Sequence, residues 1–259
     1  MMTPGSRART CIVALAFLVC ATGTPAAQDA GFTERELEVI DERIRSYILA
    51  NPEIVLQSLR ELQARMELER RHEEAERVEL RRGLVRDLVA EIEQDPDDPV
   101  LGNAEGDVTL VEFFDYQCGF CKRVTGPLFE TARADGRVRL VMKEFPILGP
   151  VSVVAARAAL AARRQGRYED MHIALMNLRG RLTEQAVLQT ARELGLDVDR
   201  LEADMADPEV ARVFGKVRAL ADRLGIGGTP AFIIGGEVIE GAVDAGQLQA
   251  LIREARAPG

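Results

Sequence analysis

The stretch that decides the fold runs from Val111 to Lys122 and reads Val-Glu-Phe-Phe-Asp-Tyr-Gln-Cys-Gly-Phe-Cys-Lys. Its first half is apolar in the manner of a buried strand, and a helical pattern begins at the cysteines. Cys118 and Cys121 therefore stand where a strand gives way to a helix. This position, more than the Cys-x-x-Cys spacing, predicts redox chemistry, because the start of a helix stabilises a thiolate.

The N-terminal residues 1–27 have the pattern of a secretory signal peptide. Two arginines without an acid come first, an apolar run follows over residues 11–21, and small residues end the segment at Ala26 and Ala27. The apolar run is far below the ~20 residues that a membrane-spanning helix needs. We expect export to the periplasm, cleavage near Ala26 or Ala27, and a soluble mature chain.

Charge and cysteine count narrow the functional classes. The 259-residue chain has a net charge of −9, which becomes −11 without residues 1–27, and an acidic chain of this kind argues against nucleic acid as a partner. Of the four cysteines, Cys11 and Cys20 fall in the predicted signal peptide. An exported domain held together by disulfides carries more cysteines than the remaining two. The single pair therefore indicates a dithiol that reacts.

Metal binding is the main alternative use of this cysteine spacing. A structural zinc site takes four protein ligands, and neither histidine, His72 nor His172, has a companion at ligand spacing. We interpret both histidines as ordinary surface or core residues and expect no metal site. A structural disulfide, or a copper(I) site formed by the two soft thiolates, stays an alternative, although no Met or His neighbours strengthen a copper site.

Two helices are predicted before the dithiol. Thr33 and Glu36 form a capping-box pattern, which predicts a first helix over about residues 33–50. A second helix is expected to reach about Gln94, where the Pro-containing run Asp95–Pro99 stops it.

The second helix has an uneven apolar pattern. A seam at spacings of four and three comes first, namely Val55, Leu59, Leu62 and Met66. The same rhythm then meets acids, which cannot fill a continuous coiled-coil core, namely Glu69, Glu73 and Glu76. An apolar stripe returns afterwards, with Gly83 as an expected weak point, namely Val78, Val85, Leu88 and Ile92. We predict that residues 28–98 form a helical segment that self-associates; the alternative is that it docks on its own domain.

The remainder, residues 99–259, predicts an α/β domain. It opens with a strand, a helix and a strand, continues through a helical region, and closes with two strands around Gly235-Gly236 and a last helix. The expected bounds are strands at 108–115 and 137–144, a helix at about 121–134, helices within 151–224, and a closing helix at about 244–255.

Four motifs in this order resemble the DsbA-like branch of the thioredoxin superfamily, and with the helical extension the chain is most similar to the ScsC/Com1-like group. The motifs are Glu112–Tyr116, Cys118–Lys122, Lys143–Gly149 and Gly228–Phe232. The resemblance implies a thioredoxin-like fold with a helical insertion, preceded by an α-helical N-terminal segment.

Position and resemblance together assign roles around the dithiol. Cys118, at the helix start, is expected to attack a client disulfide, and Cys121, one turn inside, to resolve the mixed disulfide. By resemblance, Glu112 accepts the proton of the resolving cysteine; the alternative is a strand glutamate that reaches the surface. By resemblance also, Thr229 and Pro230 form a cis-proline loop that contacts substrate; the alternative is a Pro that only makes a turn.

The residues between the cysteines, Gly119 and Phe120, belong to the same expected substrate-contact surface. An aromatic there is similar to the Gly-Tyr of the disulfide isomerase DsbC, and a Thr before the cis-proline also occurs in isomerases. The sequence therefore favours an oligomeric disulfide isomerase, with a monomeric dithiol oxidase of the DsbA type as the alternative. The expected partners are client proteins and a membrane-bound redox protein, and the expected redox group is the Cys118–Cys121 disulfide, with no external cofactor.

Overall fold

The computed structural model describes residues 31–257 and divides the chain into two compact units, residues 1–67 and 68–259. The predicted signal peptide, residues 1–27, lies outside the described residues. The predicted boundary between residues 98 and 99 stays a prediction, because the division into units falls elsewhere in the chain and concerns compactness alone.

The first unit contains helix α1 (Glu34–Ala50) and the beginning of helix α2 (Pro52–Asp87). The predicted capping box is present: the Thr33 backbone N–H donates to Glu36 Oε2 over 2.9 Å, and the Glu36 N–H donates to Thr33 Oγ1 over 3.4 Å. This confirms the predicted first helix, and its start is fixed by local side-chain chemistry.

Within residues 31–67 no side chain is buried. The members of the predicted seam are between 42 and 54% exposed, namely Val55, Leu59, Leu62 and Met66. Other large apolar side chains of both helices are exposed as well, including Leu37, Ile44, Tyr47 and Leu49. The described part of this unit therefore has apolar surface but no core of its own.

The second helix ends earlier than the sequence predicts. Helix α2 stops at Asp87, Leu88 leaves helical geometry with φ −102° and ψ 8°, and a short helix α3 covers Val89–Glu93. The prediction of one helix to Gln94 is therefore wrong, whereas Gly83 lies inside α2 and its part as a weak point stays a prediction. Leu88 is neither Gly nor Pro, and its side chain is buried in the core of the second unit.

The second unit has a five-stranded mixed sheet in the order β1-β3-β2-β4-β5. Strands β2 and β3 are parallel, and the other neighbouring pairs are antiparallel. The strands are β1 (Val100–Gly102), β2 (Val108–Phe114), β3 (Val138–Glu144), β4 (Ala231–Ile234) and β5 (Glu237–Glu240). The helices that follow β2 in the chain are α4 (Gly119–Asp135), α5 (Pro150–Arg163), α6 (Tyr168–Asn177), α7 (Glu184–Glu193), α8 (Val198–Met205), α9 (Pro208–Leu224) and α10 (Ala245–Arg256).

These elements confirm the predicted α/β fold with a helical insertion, which α5 to α8 supply between β3 and the later strands. Among the strands of the described residues, the sequence analysis missed only the three-residue β1, which pairs with the outer edge of β3.

The pairing of β2 with β3 decides which side chains share a face of the sheet. Glu112 lies opposite Met142, and Phe114 lies opposite Glu144, so these four side chains point to one face. Helices α4 and α6 cover that face, as the contact between Tyr168 and Glu144 shows. Helices α3 and α9 cover the opposite face. The C-terminal part of the predicted apolar stripe, namely Val85, Leu88 and Ile92, is buried in the core of the second unit.

Candidate active site

The turn from β2 into α4 is held by one buried carboxylate, that of Asp115. It accepts hydrogen bonds from the Gln117 backbone N–H (2.7 Å), the Leu148 backbone N–H (2.9 Å) and the Ser152 hydroxyl (2.7 Å). Its backbone oxygen accepts from the Cys118 N–H over 3.0 Å. Asp115 therefore connects the loop before α5 to the turn that presents Cys118, a role that the sequence analysis did not assign.

Cys118 is the N-cap residue of α4, which begins at Gly119, two residues before the start at about Cys121 that the sequence predicts. Its sulfur accepts the backbone N–H of Cys121 over 3.5 Å. Burial alone raises the pKa of the Cys118 thiol, but hydrogen bonds from the Thr229 side chain and from the N–H groups of Cys121 and Phe120 outweigh it, so the pKa lies below its ordinary value. The sequence prediction of a stabilised thiolate at this position agrees with this geometry.

The two thiols differ in environment. The structure contains both as free cysteines; Cys118 is 6% exposed and Cys121 is fully buried. Burial, and next the charge of Glu112, raise the pKa of Cys121 well above its ordinary value. One sulfur is therefore disposed to ionise and to meet another molecule, and the other to stay protonated inside the protein.

Glu112 lies in the middle of β2 and is only 1% exposed, so the alternative of a strand glutamate that reaches the surface is wrong. Neither carboxylate oxygen has a hydrogen-bond partner within residues 31–257. Burial, and next the charge of Cys118, raise the pKa of Glu112 to about 8. A carboxyl group with such a pKa exchanges protons near neutral pH, which is what a proton acceptor needs.

The loop before β4 reaches the dithiol. The Thr229–Pro230 peptide bond is cis, Pro230 is buried and Thr229 is half-buried. The Cys118 thiol donates to the Thr229 backbone oxygen over 3.2 Å, a contact that favours the protonated sulfur. The loop thus lies against Cys118, and its role in contacting substrate stays a prediction.

The expected substrate-contact residues between the cysteines are at the surface. Gly119 is exposed, and the Phe120 ring is 55% exposed. The guanidinium carbon of Arg123 lies 4.3 Å from the centre of that ring, a cation–π contact. An apolar ring with a cation over it therefore lies next to the reactive sulfur.

A buried polar cluster beside the site was not recognised from the sequence. Glu144 Oε1 accepts the hydroxyl groups of Tyr116 and Tyr168, each over 2.9 Å, and the Tyr116 oxygen lies 3.2 Å from His172 Nδ1. Burial raises the pKa of Glu144 well above its ordinary value and lowers the pKa of His172 to about 3. The sequence signal that could have indicated this cluster is the occurrence of polar residues inside strand and helix patterns that are otherwise apolar.

The histidines agree with their interpretation as core and surface residues. His172 is fully buried among aromatic rings, and His72 is exposed with Glu76 at 3.4 Å. No group of three or more His, Cys, Asp or Glu side chains in the described part of the chain is arranged to hold a metal ion.

Comparison with known proteins identifies the family of this chain. The sequence profile of the DSBA-like thioredoxin domain family matches residues 109–253, which is more than half of the chain. The chain belongs to this family. Members of the DSBA-like thioredoxin domain family exchange disulfides through a redox-active cysteine pair and use no external cofactor. Cys118 and Cys121 are the cysteine pair within the matched residues of this chain.

Solved structures of DSBA-like proteins support the fold. A thioredoxin-like oxidoreductase from Silicibacter pomeroyi is 48% identical, with 66% of this chain and 98% of that chain covered and a TM-score of 0.64. A linker-deletion mutant of Proteus mirabilis ScsC covers 88% of this chain and 98% of its own at 22% identity and a TM-score of 0.65, which shows a shared fold. The predicted resemblance to DsbA-like proteins, ScsC among them, is confirmed.

The curated relatives are longer proteins. A Na(+)/H(+) antiporter NhaA 1 from Salinispora arenicola is 33% identical over 164 residues, covering 62% of this chain and 25% of the antiporter. The chain thus spans about a quarter of the length of the curated relatives it matches. Within residues 31–257, the structure contains no helix that is both long and apolar enough to cross a membrane.

Proposed function

We propose that this DSBA-like protein is an exported thiol–disulfide oxidoreductase that rearranges disulfides in client proteins through Cys118. The observation that carries the proposal is the asymmetry of the dithiol: the pKa of Cys118 is lowered and the pKa of Cys121 is raised. A thiolate is the nucleophile in disulfide exchange, so attack starts at Cys118.

The steps follow from this asymmetry. The Cys118 thiolate attacks one sulfur of a client disulfide, forms a mixed disulfide and releases the other client sulfur as a thiolate. If a client thiolate then attacks the mixed disulfide, the client leaves with a rearranged disulfide and Cys118 is regenerated. If Cys121 attacks instead, the client leaves reduced by two electrons and the Cys118–Cys121 disulfide forms.

Glu112 is proposed to accept the Cys121 proton in the second route. Burial keeps the Cys121 thiol protonated, so resolution needs a base, and Glu112 is the acid whose charge acts on that sulfur. With a pKa of about 8, Glu112 can take up this proton near neutral pH without being ionised permanently in a buried place.

The N-terminal helices are proposed to bring copies of the chain together. In residues 31–67 the apolar seam is exposed and nothing in that unit buries it. In contrast, Val85, Leu88 and Ile92 of the predicted segment are already buried in the second unit. Self-association is therefore assigned to the part before residue 68, and several dithiols would then meet one misfolded client, as isomerisation requires.

Refolding of ribonuclease with scrambled disulfides tests the isomerase proposal. We expect the mature chain, residues 28–259, to restore ribonuclease activity in a redox buffer, and Cys118→Ser to abolish the effect. Cys121→Ser should retain part of it, because isomerisation needs only the attacking sulfur. Oxidation of reduced ribonuclease without any rearrangement of scrambled ribonuclease would instead indicate the dithiol oxidase.

Light scattering tests the proposed association. The mature chain should have a mass of at least two copies, and replacing Leu59 and Leu62 with Gln should shift it toward one copy. A matched control replaces the exposed Gln57 and Arg60 of the same helix turn with Ala. A single-copy mass for the mature chain at micromolar concentration would refute association.

Localisation in the periplasm is part of the same proposal. It depends on the signal-peptide pattern of residues 1–27, and the expected partner that resets the redox state of the dithiol is a membrane-bound thiol oxidoreductase. Amino-terminal sequencing of the protein from a periplasmic fraction should give a start next to Ala26 or Ala27. Retention of the full-length chain in the cytoplasm would contradict this localisation.

A further inference from the structure

The surface around Cys118 has an unusual charge composition. Four segments meet there: the site turn itself, the loop held by Asp115, the loop that carries Thr229, and the loop after α6. The last is tied to α4 because Lys122 Nζ donates to the Leu178 backbone oxygen over 3.3 Å. None of the four contains an Asp or Glu, although the chain has 42 of them; the segments are 117–123, 145–152, 225–230 and 178–183.

Three exposed arginines lie in these segments, namely Arg123, Arg179 and Arg181; they are called the rim arginines below. No carboxylate within residues 31–257 forms an ion pair with any of them. Elsewhere in the same unit, the arginines commonly have acidic partners: Arg256, for example, pairs with both Asp107 and Asp135. Within the described residues, the rim arginines are therefore cations without an ion-pair partner, in a chain that is acidic as a whole.

Apolar surface accompanies these cations. Phe120 is 55% exposed beneath Arg123, and Leu148, whose backbone N–H is held by Asp115, is 51% exposed. Next to them, the Thr229 loop contacts the reactive sulfur. An extended polypeptide can lie over such a surface with apolar side chains on the rings and carboxylates on the rim, because an extended chain points successive side chains in alternating directions.

We propose that the rim arginines dock an extended client segment that carries acidic residues beside its cysteine. The inference rests on the proposed function, since it names the clients on which the dithiol acts. At long range the negative chain repels such a client, but exposed charges act mainly within about 10 Å at 0.1 M salt. Close to the site, the rim arginines therefore make the electrostatic interaction with an acidic client attractive. This attraction raises the rate at which the client meets Cys118 in a reactive orientation.

Exchange with synthetic peptides tests the docking role. Each peptide has one cysteine in a mixed disulfide with neutral 2-mercaptoethanol, flanked by Glu, by Gln or by Lys. The reduced protein should exchange as follows: Cys118 bonds to the peptide sulfur and expels mercaptoethanol, then Cys121 displaces the peptide thiol and the protein disulfide forms. Quenched flow with mass spectrometry gives the rate constant for each peptide.

We expect the acidic peptide to react about tenfold faster than the Gln peptide at low ionic strength, the Lys peptide to react slowest, and 0.5 M salt to reduce these differences. The double substitution Arg179→Gln/Arg181→Gln should bring the acidic-to-neutral ratio close to one. The matched control Arg192→Gln/Arg253→Gln removes the same charge at exposed positions away from the rim and should retain the ratio.

The outcomes separate the two proposals. Exchange at equal rates with all three peptides, or an equal loss of the ratio in both double variants, would overturn the docking role and leave the oxidoreductase proposal standing. A protein that exchanges with no peptide would overturn the proposed function and the docking role with it.

Discussion

Two buried ionisable side chains in the middle of the sheet, Glu112 and Lys143, have opposite surroundings. They lie on neighbouring strands, face opposite sides of the sheet, and are each 1% exposed. Lys143 forms an ion pair with buried Asp98 and donates to the Glu91 backbone oxygen over 2.7 Å. Glu112 has no cation and no hydrogen-bond donor within the described residues.

The difference separates a structural from a chemical use of burial. The ion pair and the further hydrogen bond fix the segment before β1 to the sheet, and Lys143 offsets part of the burial that raises the pKa of Asp98 to about 6. A buried carboxyl group without a partner is costly when ionised and therefore titrates near neutral pH. On the face with α3 and α9 the buried carboxyl group of Asp98 has a cation that offsets part of its burial, whereas on the face with α4 the carboxyl group of Glu112 has none and its pKa rises further, to about 8.

The largest expected effect comes from breaking the pair. Lys143→Met leaves Asp98 buried without its cation, which should lower the free energy of unfolding by about 3–5 kcal/mol. Urea unfolding at pH 7 measures this. The double variant Lys143→Met/Asp98→Leu should recover most of the loss, because no unpaired charge remains. A single variant that loses less than about 1 kcal/mol would contradict the contrast between the two faces.

The second prediction concerns catalysis on the other face. Glu112→Gln removes the proton acceptor, so the resolution of a mixed disulfide at Cys118 should slow about 100-fold. Formation of that mixed disulfide, which depends on the thiolate of Cys118, should change far less. Single-turnover quenched flow separates the two steps. An unchanged rate of resolution would remove Glu112 from the mechanism.

The third and smallest effect is a difference in the pH dependence of stability. The folded pKa of Glu112, about 8, lies above the ordinary value of 4.5, so the folded protein holds an additional proton between these pH values and loses stability as the pH rises through this range. Glu112→Gln lacks this loss. The stability of the variant relative to the natural protein should thus rise by roughly 2 kcal/mol from pH 5.5 to pH 7. Urea unfolding of both reduced proteins checks it, and parallel pH curves would contradict the prediction.

The elements around the dithiol were predictable because their signals are local. Alternating or continuous apolar runs gave β2 and β3, the capping box gave α1, and the start of α4 at the cysteines followed from the change of pattern. The burial of Glu112 could also be predicted, because its neighbours on the strand are apolar on both faces.

The features that were missed depend on distant partners. Asp98 lies in a Pro-rich run that indicates a helix stop, and nothing near it shows that Lys143, 45 residues later, reaches it. The Glu144 cluster joins the last residue of β3 and Tyr116, in the turn after β2, to Tyr168 and His172 on α6 in the same way. The end of α2 at Asp87 has no Gly or Pro beside it either, and the residue that follows, Leu88, is buried.

The burial of Val85, Leu88 and Ile92 has a consequence for how such proteins can be assembled from parts. These side chains belong to the helical stretch by sequence but to the core of the second unit by packing. A recombination event or a designed chimera that joins an N-terminal segment of another protein at residue 98 would remove these side chains. The apolar surface under α9 would then be uncovered. A junction before residue 85 would keep the three apolar side chains that cover this surface. The exchangeable module therefore begins inside a helix and not at the loop that follows it.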